Sequence, residues 1–357
     1  MRILNPEISE FRKKRILYAT IYHYIKTNRP VSSNVIAKDY NLGISSATVR
    51  IILSELVKEG FLKHTHVSSG CVPTDKGYRY FVDSLTTLHK LAYEERRKVV
   101  EELRKHIKEM DDLFIHTSHL LALVSNYAGF VLAPNLLKEK IEYLQLVKIK
   151  DDELLLIFVT YSGLVKHQIF KLGIPISDSL VKDISDLMNE KFRNLTLNEL
   201  KLRLLEIFDE IKQNQMIVSK IVNNIYEQLN YEQEKRIMLD GVSNIIPAMT
   251  NLEYNKVYNA LQLIEQKKRL ADLFEKELEL LNNTKISIGK ENPYPEFEEM
   301  SLIRTSYKID GTPIGVLGII GPKRMEYDKM ISIVNFIGDM VNKIINEYFK
   351  KPKIINK

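Results

Sequence analysis

The chain has 357 residues with 45% hydrophobic and 27% charged content and a formal net charge of +6. These are ordinary values for soluble globular material of roughly two or three domains. A single cysteine, Cys71, excludes an intramolecular disulfide framework and any thiolate-rich zinc or iron–sulfur site. The positive excess is segregated: residues 1–90 carry 14 Lys and Arg against 7 Asp and Glu, while the remainder carries 38 against 39. A basic domain beside a neutral body is the electrostatic footprint of a nucleic-acid reader.

Leu17, Ile21, Tyr24 and Ile25 at helical spacing predict a helix over Lys13–Lys26, opened by Arg12-Lys13-Lys14-Arg15. Asn28-Arg29-Pro30 ends it, since proline has no amide to continue the ladder. Ser32 or Ser33 caps a second, short helix through Lys38, and Asn41-Leu42-Gly43 makes a tight turn. Ser45 caps a third helix from about Ser46 to Glu59, with Gly60 as its stop. There Val49, Ile52, Leu53 and Leu56 form the buried stripe, while Ser46, Arg50 and Ser54 lie opposite, flanked by Ala47 and Ile51. Phe61–His64 and Cys71–Pro73, joined through Ser68-Ser69-Gly70, read as a two-stranded hairpin. This order of elements is the winged helix-turn-helix pattern.

A recognition helix enters the major groove with its N-terminal residues against base edges. Ser45, Ser46, Ala47, Arg50 and Ile51 are therefore the candidate base readers, with Arg50 suited to a bidentate contact to guanine. The bland alternative is a salt bridge of Arg50 on a solvated face. Arg12, Lys13, Lys14, Arg15, Thr48, Lys63, His64, Lys76 and Arg79 are candidate phosphate contacts. His64 and His66 alternate on the hairpin without local acidic or cysteine partners, which favours a face toward solvent or DNA over a metal site.

Further along, Leu88–Ile107 reads as a charged connector helix. The longest stretch free of Asp, Glu, Lys and Arg, Leu113 to Leu137, carries His116, His119, Asn126 and Pro134 and is too polar for a membrane span. With no apolar signal core after Met1, the expected location is cytoplasmic and nucleoid-associated. Ile141–Ile149, Glu153–Tyr161 and Leu164–Leu172 are β-rich runs separated by the turn signals Asp151-Asp152 and Ser162-Gly163. A helical block follows from about Asp178 to Leu281, whose apolar stripe (Leu261, Ile264, Leu270, Leu273) suits a core or a subunit interface. Lys285–Gly289, Met300–Ile309 and Pro313–Ile320 return to strand, and Lys329–Phe349 closes as an amphipathic helix. The class is α+β, one domain interrupted by a helical insertion. Gly315, Gly318 and Gly321 match neither the dinucleotide fingerprint nor the Walker sequence, and fit a closely packed strand better. No nucleophile–base–orienter set is legible, so catalytic residues, cofactors and metals are all expected to be none.

Particular stretches carry a resemblance. Pro30-Val31-Ser32-Ser33, Ile44-Ser45-Ser46-Ala47-Thr48-Val49-Arg50 and Val72-Pro73-Thr74-Asp75-Lys76-Gly77-Tyr78-Arg79 resemble the heat-inducible transcription repressors of the HrcA family. So do Tyr127-Ala128 through Leu132-Ala133-Pro134, Glu291-Asn292-Pro293, Met300-Ser301-Leu302-Ile303, and Ile320-Gly321-Pro322-Lys323-Arg324-Met325-Glu326-Tyr327. The resemblance implies a winged-helix DNA-binding domain at 1–90 and a GAF-like domain begun at 91–190, with its connector, and completed at 285–349. It also implies an inserted, mainly helical dimerisation segment at 191–284, ahead of a basic tail at 350–357. By the same resemblance the partners are an inverted-repeat operator in double-stranded DNA, a second copy in a homodimer, and the chaperonin that maintains activity until heat stress. It brings no known ligand for the GAF-like domain.

Two positions depart from the family pattern. Ile51 stands where the family usually has asparagine, replacing a hydrogen-bonding base reader with a side chain suited to a thymine methyl. Cys71 stands where it usually has arginine, removing an expected phosphate contact. The alternatives are a small-molecule-responsive regulator sensing through the GAF-like domain and, weaker, an enzyme with a DNA-binding appendage.

Overall fold

A computed structural model describes residues 6–40, 42–65, 70–85, 103, 110–161, 165–196, 198–199, 216–221, 223–224, 227, 236–249, 254–278, 281, 283–309 and 311–350. Nearly all of the predicted connector over 88–107, the hairpin tip with His66, much of the 191–284 segment and the tail beyond Lys350 lie outside them.

The N-terminal unit has three helices and a hairpin in the predicted order. Helix α1 (Pro6–Thr27) starts earlier than predicted and ends where Asn28 takes a left-handed φ of 55°. Helices α2 (Ser33–Asp39) and α3 (Ser46–Lys58) are capped by Ser32 and Ser45, whose hydroxyls accept from Val35 N and Thr48 N. Strands β1 (Leu62–His64) and β2 (Cys71–Pro73) pair antiparallel, Lys63 opposite Val72. One element was not predicted: α4 (Asp75–Asp83), whose start is capped by Thr74 accepting from Gly77 N. Ile16, Leu17 and Ile21 of α1 meet Val49, Leu53 and Leu56 of α3 and Phe81 of α4 in one core.

The body is a five-stranded antiparallel sheet in the order β7-β3-β10-β9-β8. Its strands are β3 (Ala128–Leu132), β7 (Ile237–Asp240), β8 (Lys285–Ile288), β9 (Met300–Ile309) and β10 (Thr312–Pro322). Period-2 alternation divides its faces. Val131, Ile303, Tyr307, Leu317 and Ile319 pack under α5 (Met110–Ser125) and α9 (Tyr327–Lys350), in a core continuous with that of the N-terminal unit. Phe130, Leu302, Val316 and Ile320 face α7 (Tyr254–Glu265) and α8 (Lys267–Leu278), with Phe130 stacked on Phe274 at 4.3 Å between centroids. Gly318 fits the expected tight packing: a Cβ there would stand 2.2 Å from the Ile303 carbonyl oxygen. On this face Arg304, fully buried, makes two hydrogen bonds to Glu277 at 2.6 and 2.7 Å, and Arg236 donates to Glu275 at 2.7 Å.

The middle of the chain differs from expectation in three ways. The β-rich runs, expected in the same domain as the C-terminal strands, form their own meander of β4 (Ile141–Lys150), β5 (Glu153–Thr160) and β6 (Val165–Lys171). Helix α6 (Asp178–Phe192) covers one side, enclosing a separate core of Leu144, Leu154, Phe158, Ile184 and Met188. It also guards the edge of β4, Asn189 and Ser185 accepting from the amides of Leu144 and Leu146. Second, the predicted helical block is broken by β7, a four-residue strand too short to show a period. Third, α7 and α8, expected in the insertion, belong to the body because Leu263, Ile264, Leu270 and Phe274 need the sheet's second face for burial.

Candidate nucleic-acid interface

Helix α3 buries Val49, Leu53 and Leu56 and turns Ala47, Arg50, Ile51, Ser54 and Lys58 outward. The outward positions follow the i, i+3, i+4, i+7 rule, so they form a single stripe. Ile51 is 62% exposed, a large apolar group held in water. At the head of the stripe the Ser45 hydroxyl caps the helix and lies 3.0 Å from that of Thr48. The Ser45 hydroxyl accepts from the Thr48 amide, and exposed Ala47 and half-buried Ser46 stand at the same end of the helix. Ser54 donates back to the Arg50 carbonyl, which leaves its hydroxyl an acceptor on the same stripe.

In the hairpin, Lys63 and His64 are exposed while Leu62, opposite Pro73, is buried. Cys71 is not a surface residue of the hairpin. It is 2% exposed, its amide and carbonyl bond the carbonyl and amide of Val31, and burial pushes its thiol pKa up. The side chain at position 71 packs inward with its Sγ 3.8 Å from the His64 Nδ1, so, against the sequence expectation, that histidine has a cysteine neighbour.

The candidate phosphate contacts divide into two sets. Arg12 is half-buried, and Lys14, Arg15 and Lys63 are exposed; Lys14 lies 3.9 Å from Glu10, and Arg15 lies over the Phe11 ring. Lys13 instead bonds Glu59, with Glu55 near it, tying α1 to the end of α3; that hydrogen bond is the main reason its pKa is raised. Lys76 donates to the Glu59 carbonyl at 2.9 Å, capping α3 from outside, and sits 4.2 Å over the Phe61 ring. Arg79 faces the body: it grips both carboxylate oxygens of Glu291 and donates to the Ile286 carbonyl at 2.8 Å. Burial would raise the Glu291 carboxyl, but Arg79 and the Ile288 amide outweigh it and hold it low. Glu291 and Lys323, the body's partners of α4, were not singled out as site residues. Their signal was the pairing of PTDKGYR with the charged C-terminal strings.

Among the described residues, no cluster of three or more His, Cys, Asp or Glu side chains could hold a metal ion, and no helix is long and apolar enough to cross a membrane.

Residues 111–331 match the family model described as the HrcA protein C terminal domain. The chain is 32% identical to the heat-inducible transcription repressor HrcA of Pelotomaculum thermopropionicum, covering 94% of this chain and 96% of that one. It is 31% identical to that of Brevibacillus brevis, covering 95% and 99%. A crystal structure described as that of a hypothetical protein superposes with a TM-score of 0.64 at 21% identity, over 96% of this chain and 99% of the other, which shows a shared fold.

Proposed function

Because this chain belongs to the HrcA family of heat-inducible transcription repressors, we propose that it binds an inverted-repeat operator in chaperone-gene promoters as a homodimer and so blocks transcription. The observation that carries the reading is the outward stripe of α3, with Arg50 and Ile51 exposed beyond the Ser45-capped start of the helix and a basic hairpin beside it. In this reading the N-terminal unit is a winged helix and the body is GAF-like. Arg50 reads guanine, Ile51 packs on a thymine methyl, Ser45, Ser46 and Ala47 bring the helix end close to the groove, and Arg12, Lys14, Arg15, Thr48, Lys63 and His64 meet phosphate.

The dimer is proposed to form through the open face of the β4-β5-β6 sheet. Tyr143, Val147, Ile149, Val165 and Ile169 are exposed there together, opposite the side that α6 covers. Chaperonin is proposed to return heat-damaged chains to the DNA-competent fold, since apparent affinity scales with the competent fraction. That part rests on the family resemblance. It is tested by adding purified chaperonin after a heat challenge; operator occupancy that does not recover counts against it.

The central test is fluorescence anisotropy on a duplex bearing the inverted repeat beside a scrambled duplex at equal salt. Specific binding is typically ~10³–10⁷ tighter than non-specific binding, so the curves should separate. Coincident curves would sink the operator reading. A second reading, a regulator that senses a small molecule, is favoured by a cleft of about 410 Å³ in the body lined by Lys256, Arg269, Tyr294, Glu296 and Glu299. It requires a ligand that raises the melting temperature.

A further inference from the structure

The strings of sequence that mark this family meet at the seam between the N-terminal unit and the body. From α4, Arg79 takes Glu291 and the Ile286 carbonyl, and Asp75 takes Lys323 at 2.9 Å and accepts from the Lys290 amide at 3.2 Å. That approach needs Gly289, at a φ of +57°, because a Cβ there would stand 2.1 Å from the Asp75 carboxylate. From α1, Lys26 pairs with Glu326 at 2.8 Å and the Ile25 carbonyl accepts from Arg324 at 2.8 Å. Between them the buried rings of Tyr78 and Tyr327 lie 6.1 Å apart, and the Tyr327 hydroxyl is fixed by Ser301.

A unit joined to the body by a connector alone would sample many orientations. This seam removes that freedom at two helices at once. A bidentate arginine–carboxylate pair fixes direction as well as distance, and backbone groups on both sides admit little sliding. The orientation matters because each added base pair moves a half-site by about 3.4 Å and turns it by about 34°, one helical turn being about 10–10.5 base pairs.

We propose that the seam sets the separation and tilt of the two recognition helices, with Arg79 and Asp75 as positioning residues that select the spacing between operator half-sites. The proposal rests on the dimeric inverted-repeat reading above. Arg79 is thereby a determinant of specificity that touches no DNA.

The test uses the full-length protein and duplexes whose half-sites are separated by spacers that differ one base pair at a time, with a single half-site duplex as reference. The wild type should bind one spacer at least about tenfold better than its immediate neighbours, since a rigid dimer cannot follow a half-site that has turned away. Arg79→Ala and, from the other side, Glu291→Gln should flatten that profile to within about threefold while leaving half-site affinity unchanged. Arg79→Lys, which keeps the charge but loses the fork, should fall between. A merely structural role would lower all affinities together and leave the profile's shape alone. Variants that keep the wild-type profile overturn the proposal. If Arg79→Ala does not fold, Glu291→Gln decides it. A wild type that binds no repeat better than scrambled DNA would instead overturn the operator reading itself.

Discussion

The outer face of α3 and the interior of the body use the same residue types for opposite ends. Arg50 and Lys63 stand in water with their side chains exposed, while Arg304 is fully buried against Glu277 and Arg236 is buried against Glu275. An arginine in water keeps its hydration and can release it to a ligand. An arginine inside has already lost its hydration, and its value depends wholly on its partner. Charge counts along the chain do not distinguish the two, since Lys13, Lys76 and Arg79 lie in the basic quarter but are engaged with Glu59, its carbonyl and Glu291.

The sharpest way to separate the two classes is to remove an inner cation. Arg304→Ala should lower unfolding free energy by about 3 kcal/mol, because Glu277 keeps only the half-exposed Lys285 as a partner and loses both of its bonds to the buried guanidinium. Chemical denaturation reads this, and a loss below about 1 kcal/mol would mean that the pair is solvated after all.

Acid should act on the inner pairs next. The Glu275 carboxyl, which burial alone would raise, is pulled down to about 2 by hydrogen bonds from Lys138, Arg236 and Asn135. A depressed folded-state pKa contributes stability above the unfolded value, near 4.5, that is lost as pH falls from there toward 2. The loss amounts to about 3 kcal/mol if the pair acts alone. Replacing Glu275 with Gln should remove most of this acid-linked loss in urea titrations at stepped pH; an unchanged slope would deny the pair that role.

An outer cation should behave in the reverse sense. Arg50→Ala should cost about 1–3 kcal/mol of discrimination per half-site between operator and scrambled duplex, with the melting temperature within a degree or two of wild type. A variant that melts early would move Arg50 into the inner class.

The smallest effects lie within the basic quarter itself. Lys63→Ala should reduce the slope of log affinity against log salt by about 1.8, about 0.9 for each copy in the dimer. Lys13→Ala should leave that slope alone and cost at most about 1 kcal/mol of stability, as exposed pairs do. Equal slopes in the two variants would erase the distinction between phosphate contacts and internal ties.

Reading ahead from sequence worked where the determining contacts are local. Ser32 and Ser45 announce their helices because a cap acts over three residues, and Gly60 marks the end of α3 by taking a φ of 78°. The outward stripe of α3 follows from helical period alone, and the β4-β5-β6 meander from alternation and its Asp151-Asp152 turn. What was hidden depends on partners far along the chain. Ile237–Asp240 is a strand because it lies against β3, and nothing in four residues says so. Helices α7 and α8 were assigned to the insertion because an apolar stripe does not name the surface that covers it. Thr74 before Asp75 is a legible cap for α4, its hydroxyl accepting from Gly77 N. Arg79 reads as a DNA contact in the sequence because its partner, Glu291, lies in another part of the chain.

Strand β3 has a consequence for how the body is made. It lies between β7 and β10, so Leu132 faces Ile237 on one side and Val316 on the other. Neither neighbour is close in sequence, whereas each strand of the three-stranded meander pairs with the strand that follows it in the chain. Closing such long loops must precede the contacts that reward it, which makes high-contact-order sheets slow to form and exposed to aggregation while they wait. During synthesis β3 emerges with Phe130 and Val131 long before β10 can flank it, and each unfolding by heat recreates that interval. The proposed need for chaperonin then has a kinetic origin in the topology of one strand.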